Sequence, residues 1–141
     1  MEMLFLVNDI EKKRMNHVEY RIQKSVCIYL KLKHPHVLFM SDTVANLKLT
    51  KTQAGRNKAI QKDGFKTPDL IIFKPKGKYH GLFIELKAKT PFKKNGELLK
   101  DEHLEGQQKT IDDLNKLGYY ATFATGVKEA IECIKKYMDG R

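Results

Sequence analysis

The segment PDLIIFKPKGKYHGLFIELKAK constrains the fold of this chain more strongly than any other. Two apolar stretches, near Asp69–Lys74 and His80–Lys89, flank the turn sequence PKGK, a pattern that predicts a β-hairpin. Its apolar content is typical of the centre of a fold, yet it carries Asp69, Glu85 and Lys87. Because charged side chains are almost never buried without a partner, these three residues need an explanation.

The segments around the hairpin predict alternating helices and strands. Apolar residues recur at spacings of three and four over Met15–Leu30, His103–Leu117 and Val127–Met138, which predicts three helices. Strands are expected in VLFMSD and YYATFAT, and the polar segment KTQAGRNKAIQKDG has room for a short exposed helix. We therefore expect a single domain over residues 1–141, with an α/β sheet that carries helices on its faces.

Strand alternation brings the charged residues of the hairpin together. Glu85 and Lys87 share one strand face, roughly 7 Å apart, and Asp69 opens the strand that pairs with theirs. Two neighbouring carboxylates repel each other unless a cation lies between them, and a hard divalent ion prefers such oxygen ligands. A lysine beside the ion can hold or activate a water molecule, so the set suits phosphodiester hydrolysis. The alternative is an ion-paired patch in which Lys87 neutralises both acids.

Two polar residues on the predicted helices favour a site over a surface patch. Gln107 occupies an apolar position of its helix, between Leu104 and Ile111, where a buried amide needs hydrogen-bond partners. Glu19 lies at the inner edge of the first helix, one turn before Ile22. A solvated acid near the start of a helix is the alternative interpretation of Glu19.

The positive charge of the chain is concentrated around the hairpin. The net charge is +10, and residues 48–100 hold 14 Lys or Arg against four acids, a difference that equals the whole excess. A polyanionic partner explains this concentration, while a solvated basic surface that maintains solubility is the alternative.

Other features of the sequence exclude some classes of protein. No apolar run reaches the ~20 residues that a membrane span requires, and we expect no signal peptide. Cys27 and Cys133 belong to no CxxC pair, so we expect buried free thiols in a reducing compartment, the cytoplasm. Without a phosphate-binding glycine-rich loop, we expect no nucleotide cofactor.

Several of these motifs together resemble a known nuclease family. PD and ELK, with fifteen residues between Asp69 and Glu85, resemble the PD-(D/E)XK nuclease motif. GFKTPDL, GLFIELKAK, a glutamine-bearing helix and LNKLGYYATFATGVKEAI resemble its VRR-NUC branch, in the stand-alone form often carried by phages. The resemblance extends from about Val18 to Tyr137. Thr67 stands where many relatives have glycine, which changes the turn but removes no ligand.

The resemblance implies a fold, an activity and a partner. It implies a restriction-endonuclease-like core with a central mixed β-sheet flanked by helices. The implied activity is that of a Mg²⁺- or Mn²⁺-dependent DNA endonuclease, acting on structured DNA such as flaps or four-way (Holliday) junctions. A chain of this size would handle a two-fold symmetric junction most simply as a homodimer. If a phage encodes the chain, its location would be the host cytoplasm.

The resemblance also implies roles for individual residues. Asp69, Glu85 and the backbone carbonyl of Leu86 would bind the metal ion, and Glu19 would reach it through water. Lys87 would be the catalytic lysine, and Gln107 would be the glutamine of the motif.

Basic residues on either side of the hairpin are candidates for contacting backbone phosphates as a group. They are Lys51, Arg56, Lys58, Lys62, Lys66, Lys93 and Lys94. A DNA-binding accessory protein that does not cleave is an alternative function, which explains the charge but not the carboxylates. An acid-pocket enzyme unrelated to nucleic acid is a second alternative, which the concentrated charge argues against.

Overall fold

A computed structural model describes residues 2–42 and 47–140, with side chains from residue 17 onward. The helices and strands of these residues follow the order that the sequence predicts. They are α1 (Glu2–Lys33), β1 (Phe39–Ser41), α2 (Lys51–Ile60), β2 (Leu70–Ile72), β3 (Leu82–Lys87), α3 (Glu102–Lys116), β4 (Tyr120–Thr125) and α4 (Gly126–Met138).

The four strands form one mixed sheet in the order β1-β2-β3-β4. β2 pairs with β1 and β3 in antiparallel register, whereas β3 and β4 are parallel and are joined through α3. The hairpin register pairs Leu70 with Ile84. Asp69, one residue before β2, therefore lies opposite Glu85, as strand alternation predicts. The expected α/β fold with a mixed sheet is thus confirmed.

Helices cover both faces of the sheet because apolar side chains alternate along its strands. On one face, Leu82, Ile84 and Leu86 are buried in the larger core, which α1 and α4 complete with residues such as Val26 and Ile134. On the other face, α3 supplies the smaller core. Its buried members are Ile111, Leu114, Ala121 and Phe123. Glu85 points to the face of the sheet that α3 covers. An acidic side chain is therefore buried between the sheet and a helix.

Several element boundaries differ from the sequence prediction. α1 begins at Glu2 instead of Met15, since the preceding residues include many good helix formers and no Pro or Gly. It ends at Lys33, where the His34–Pro35 sequence stops it as expected. The hairpin strands are shorter than predicted, and the turn closes on an isolated bridge between Lys76 and Tyr79.

The basic segment between β1 and β2 contains the short helix that its sequence allows. Thr50 caps α2 through a reciprocal pair of hydrogen bonds with Gln53. α2 buries none of its residues, so its side chains are available to solvent or to a partner. Within the described part of the chain, no helix combines the length and apolar character needed to cross a membrane.

Candidate active site

The two acids of the hairpin meet at the end of the sheet where β2 begins. Glu85 is buried on β3, with 6% of its surface exposed. Asp69 is held against the same strand because its Oδ2 accepts a hydrogen bond of 2.8 Å from the Leu86 backbone N–H. This bond depends on backbone geometry, and so the hairpin itself fixes the Asp69 carboxylate beside Glu85.

Burial, together with the interaction between these carboxyl groups, shifts their protonation. Burial raises the pKa of Glu85 to about 10, and the negative charge of Asp69 and a hydrogen bond between the two carboxyls add to the rise. Burial also raises the pKa of Asp69, although the hydrogen bonds from Glu85 and the Leu86 N–H oppose it. Without a bound cation, the pair therefore retains a proton at neutral pH.

Lys87 lies on the same strand face as Glu85 and is half-buried. Burial raises the pKa values of Glu19, Asp69 and Glu85, and the positive charge of Lys87 partly offsets each rise. Lys87 therefore acts electrostatically on all three acids. Nevertheless, among the described residues no ion pair within 4 Å joins Lys87 to Asp69 or Glu85. The ammonium group is thus near the acids without neutralising them by direct contact, which argues against a simple ion-paired patch.

Gln107 of α3 faces inward, as its position in the helical stripe predicts. Its Nε2 donates a hydrogen bond of 3.0 Å to Glu85 Oε1, and both side chains are buried. The Oε1 of Gln107 is also buried and has no hydrogen-bond partner among the described groups. Since buried polar atoms are usually hydrogen-bonded, this oxygen is a free acceptor beside Glu85 for a polar group or a cation.

Glu19 is brought to the same place by α1. Its side chain is half-buried, close enough to the Ala88 backbone N–H, just after β3, for that group to act on the carboxyl. Burial raises the pKa of Glu19, Lys87 lowers it and Asp69 raises it again. Glu19 therefore lies within electrostatic reach of Asp69 and Lys87, and it is half-buried in the middle of α1, not near the start of the helix.

One contributor that sequence reasoning missed is Gln23, one turn after Glu19. It is buried, and its Nε2 donates to Ser41 Oγ, to the Asp42 carbonyl at 3.1 Å and to the Asp69 carbonyl at 3.4 Å. These bonds tie α1 to the backbone that carries the Asp69 carboxylate. The available indication was an amide directly after Ile22 of the apolar stripe, four residues beyond Glu19.

The candidate phosphate-contacting residues all lie on the surface, on two segments. Five are on α2 and the loop that follows it: Lys51, Arg56, Lys58, Lys62 and Lys66. Lys93 and Lys94 are exposed in the loop after β3, which an isolated bridge between Phe92 and Leu98 closes. Lys66 alone among the seven has a described contact with α3, the helix that carries Gln107.

The donor set of the site is compatible with a hard divalent cation. In the described part of the chain, no three His, Cys, Asp or Glu side chains are arranged to hold a metal ion by themselves. Asp69 and Glu85 offer two carboxylates, and an ion such as Mg²⁺ usually retains several waters and takes only one or two carboxylates. The two carboxylates and the buried Gln107 Oε1, which has no partner among the described groups, are therefore the groups here that could hold a cation and its water.

Comparisons with known proteins agree with this geometry. The VRR-NUC domain family model matches residues 16–128. A solved structure described as a VRR_NUC domain protein is similar, with 25% sequence identity and a TM-score of 0.58. The similarity covers 88% of this chain and 90% of that one. No curated protein matches the chain.

Proposed function

Because the chain belongs to the VRR-NUC domain family, a family of nucleases, we propose that it is a divalent-metal-dependent deoxyribonuclease that hydrolyses phosphodiester bonds. The observation that carries the proposal is the pair formed by the half-buried Asp69 and the buried Glu85. The pKa of Glu85 is raised to about 10 in the absence of a cation, so the pair is costly to ionise alone. A structural role would not require two acids at this position.

The proposed metal is Mg²⁺ or Mn²⁺, and the residues around the acids define its expected ligands. Asp69, Glu85 and the Leu86 backbone carbonyl would hold the ion, and Glu19 would reach it through water. Once bound, such an ion supplies a Lewis acid for the phosphate oxygen and lowers the pKa of a coordinated water.

The protein contributes orientation and charge to the proposed reaction. The Leu86 N–H fixes the Asp69 carboxylate, and the Gln107 amide fixes the Glu85 carboxylate. Lys87 is free of direct ion pairing with either acid, so its ammonium group can hold the attacking water and favour the charge that develops on the phosphate.

The proposed substrate is structured DNA, such as a flap or a four-way junction, bound by a homodimer. The exposed basic helix α2 and the lysines of the loop after β3 support a contact with the DNA backbone. A two-fold symmetric junction presents two equivalent bonds, and two copies of this chain would supply two active sites. A DNA-binding protein that does not cleave remains the alternative, although the charged pair then has no role.

The decisive experiment combines substrates, metals and one isosteric variant. Duplex, flap, single-stranded and four-way DNA are incubated with the protein in Mg²⁺, Mn²⁺ or EDTA. Cleavage only with a divalent ion, and most rapidly on branched DNA, is the expected result. Asp69→Asn should abolish cleavage while DNA binding in EDTA is retained, because an amide oxygen can still accept from the Leu86 N–H.

An exposed acid in the loop before β2 provides the matched control, and Asp63→Asn should cleave like the unmodified protein. Cleavage in EDTA, or undiminished cleavage by Asp69→Asn, contradicts the metal-dependent mechanism. Binding without cleavage under every condition would favour the accessory protein.

A further inference from the structure

The strand β4 lies at an edge of the sheet. In the order β1-β2-β3-β4 it has a neighbour on one side, and it is six residues long, against three in β1 at the opposite edge. The outer side of an edge strand presents backbone N–H and C=O groups that can pair with a strand of another chain. Of the two edges of this sheet, β4 therefore offers the longer template for such pairing.

The parallel register with β3 decides which residues of β4 face outward. The N–H of Tyr120 donates a hydrogen bond of 2.9 Å to the Gly81 carbonyl, so Tyr120 and every second residue after it bond to β3. The backbone groups of the intervening residues, Ala121, Phe123 and Thr125, point away from β3. A strand of a second chain would pair with these groups.

The side chain of Asn115 occupies both outward backbone groups of Ala121. Asn115 Nδ2 donates a hydrogen bond of 3.1 Å to the Ala121 carbonyl, and the Ala121 N–H donates one of 2.8 Å to Asn115 Oδ1. A single amide thus makes the two hydrogen bonds that a neighbouring strand would make with this residue. Asn115 is exposed in the last turn of α3, so its amide lies between the β4 backbone and solvent.

Side chains also bond to the outward groups farther along β4. The Thr125 N–H donates a hydrogen bond of 3.0 Å to Glu129 Oε2, and the Phe123 carbonyl accepts one of 3.0 Å from Thr122 Oγ1. Bonds from this chain's own side chains therefore occupy outward groups at the start, middle and end of the strand. A second strand could pair here only after these bonds were broken.

The space beside β4 is nevertheless open to another chain. A cavity of about 550 Å³ lies next to the strand, between α4 and the hairpin turn, and its lining includes Tyr120, Thr122, Glu129 and Lys78. Tyr120 is 38% exposed. Since a strand can approach this side of the sheet, the side-chain bonds are what oppose pairing.

We propose that Asn115 and Glu129 close the β4 edge to strand pairing with a second copy of this chain. An amide suits this role because it offers one donor and one acceptor, which match the N–H and C=O of one strand residue. Removal of Asn115 would leave both groups of Ala121 unpaired, and the same strand of another copy carries complementary groups. The inference does not depend on the nuclease function, and it implies that a homodimer would form through a different surface.

Sedimentation velocity over a wide range of protein concentrations, in EDTA and without DNA, tests the closure. Asn115→Ala should associate into species larger than the unmodified protein, with an apparent Kd lower by about tenfold or more. Hydrogen exchange followed by NMR reports on the edge itself. In dilute Asn115→Ala the Ala121 amide should exchange about tenfold faster than in the unmodified protein, and association should slow it again.

Asn115→Lys separates pairing at the edge from a general loss of stability. It removes the same two hydrogen bonds as Asn115→Ala, but it places at the edge a charge that pairing would bury. Asn115→Lys should therefore keep the size of the unmodified protein. Asn57→Ala is the control for loss of a helical asparagine, since Asn57 of α2 bonds to Gln61 and lies outside the sheet. It should leave the size unchanged.

A folded Asn115→Ala that keeps the size of the unmodified protein at every concentration would overturn the proposal. Equal association of Asn115→Ala and Asn115→Lys would also overturn it, because instability would then be the cause. If melting curves show Asn115→Ala to be unfolded, the same comparison between Glu129→Ala and Glu129→Lys decides. Either result leaves the nuclease function untouched, since cleavage is measured separately on the unmodified protein.

Discussion

Gln107 donates a hydrogen bond to Glu85 across 22 residues of sequence, and this bond joins α3 to the centre of the sheet. Both side chains are buried, and the remaining amide oxygen has no partner among the described groups. Gln107 therefore orients the Glu85 carboxylate, while its own amide oxygen is left without a hydrogen bond. A buried amide oxygen without a partner lowers the stability of the folded protein. Because a role in the active site would explain why Gln107 is there, substitution of Gln107 is a sensitive test of the site.

Gln107→Leu should leave the melting temperature unchanged or higher while cleavage falls at least tenfold. The change removes a buried polar atom that lacks a partner, but it also leaves Glu85 without its amide donor. Thermal melts and single-turnover cleavage measure the two effects separately. Gln108→Leu is the control, because Gln108 bonds instead to Asp112 on its own helix and should retain activity. Undiminished cleavage by Gln107→Leu would remove Gln107 from the site.

The metal-free protein should lose stability as the pH rises. The pKa of Glu85 is raised in the folded state to about 10, above its ordinary value of 4.5. Between these values the folded state binds more protons than the unfolded state, so the free energy of unfolding falls with increasing pH. Melting curves in EDTA from pH 5 to pH 9 measure this dependence.

Glu85→Gln mimics the protonated side chain, and should therefore flatten that dependence and raise the melting temperature at high pH. Added Mg²⁺ should stabilise the unmodified protein increasingly as the pH rises, because the ion binds the deprotonated pair. A melting temperature whose pH dependence in EDTA is the same in the unmodified protein and in Glu85→Gln would contradict the raised pKa of Glu85.

Lys87→Ala should reduce the chemical step by ~10²-fold or more, if the ammonium group holds the attacking water. Metal binding should be retained, because neither carboxylate is removed, and calorimetry at a pH where the acids are ionised measures it. Lys89→Ala is the matched control: Lys89 follows the same alternation but lies exposed beyond the end of β3. Lost metal binding with unchanged cleavage would reverse the role of Lys87.

Replacing Lys58 and Lys62 together by glutamine should flatten the salt dependence of DNA binding by roughly one to two units. The two residues are exposed, on α2 and the loop after it, where their charges are available to phosphates. Affinity measured over a range of salt concentrations gives the slope. Replacement of the exposed Lys31 and Lys33, at the end of α1, serves as the control. An unchanged slope in the first variant would move the DNA contact to another surface.

The periodicity of the sequence predicted the direction of those site residues whose position is set within a single helix, strand or hairpin. Strand alternation gave Glu85 and Lys87 a common face, and helical spacing turned Gln107 inward. The hairpin register then brought Asp69 opposite Glu85. Each of these inferences uses a repeat along the chain, which the order of apolar and polar residues encodes directly.

Contacts between separate elements could not be predicted from periodicity, because they depend on how those elements pack. The bond from Gln23 to the Asp69 carbonyl requires α1 to pass the start of β2. The approach of Lys66 to His103 requires the loop before β2 to lie across Gly106. Neither relationship repeats along the sequence, since both arise from the docking of loops and helices in three dimensions.

Leu86 connects two parts of the molecule that are usually considered separately. Its side chain is 2% exposed in the core beneath α1 and α4. Its backbone N–H donates the hydrogen bond that holds the Asp69 carboxylate in the candidate active site. Loosening that core would therefore misalign the acid before the protein unfolds. Substitutions that never touch DNA could in this way produce a heat-sensitive enzyme, which loses activity at temperatures where the chain is still folded.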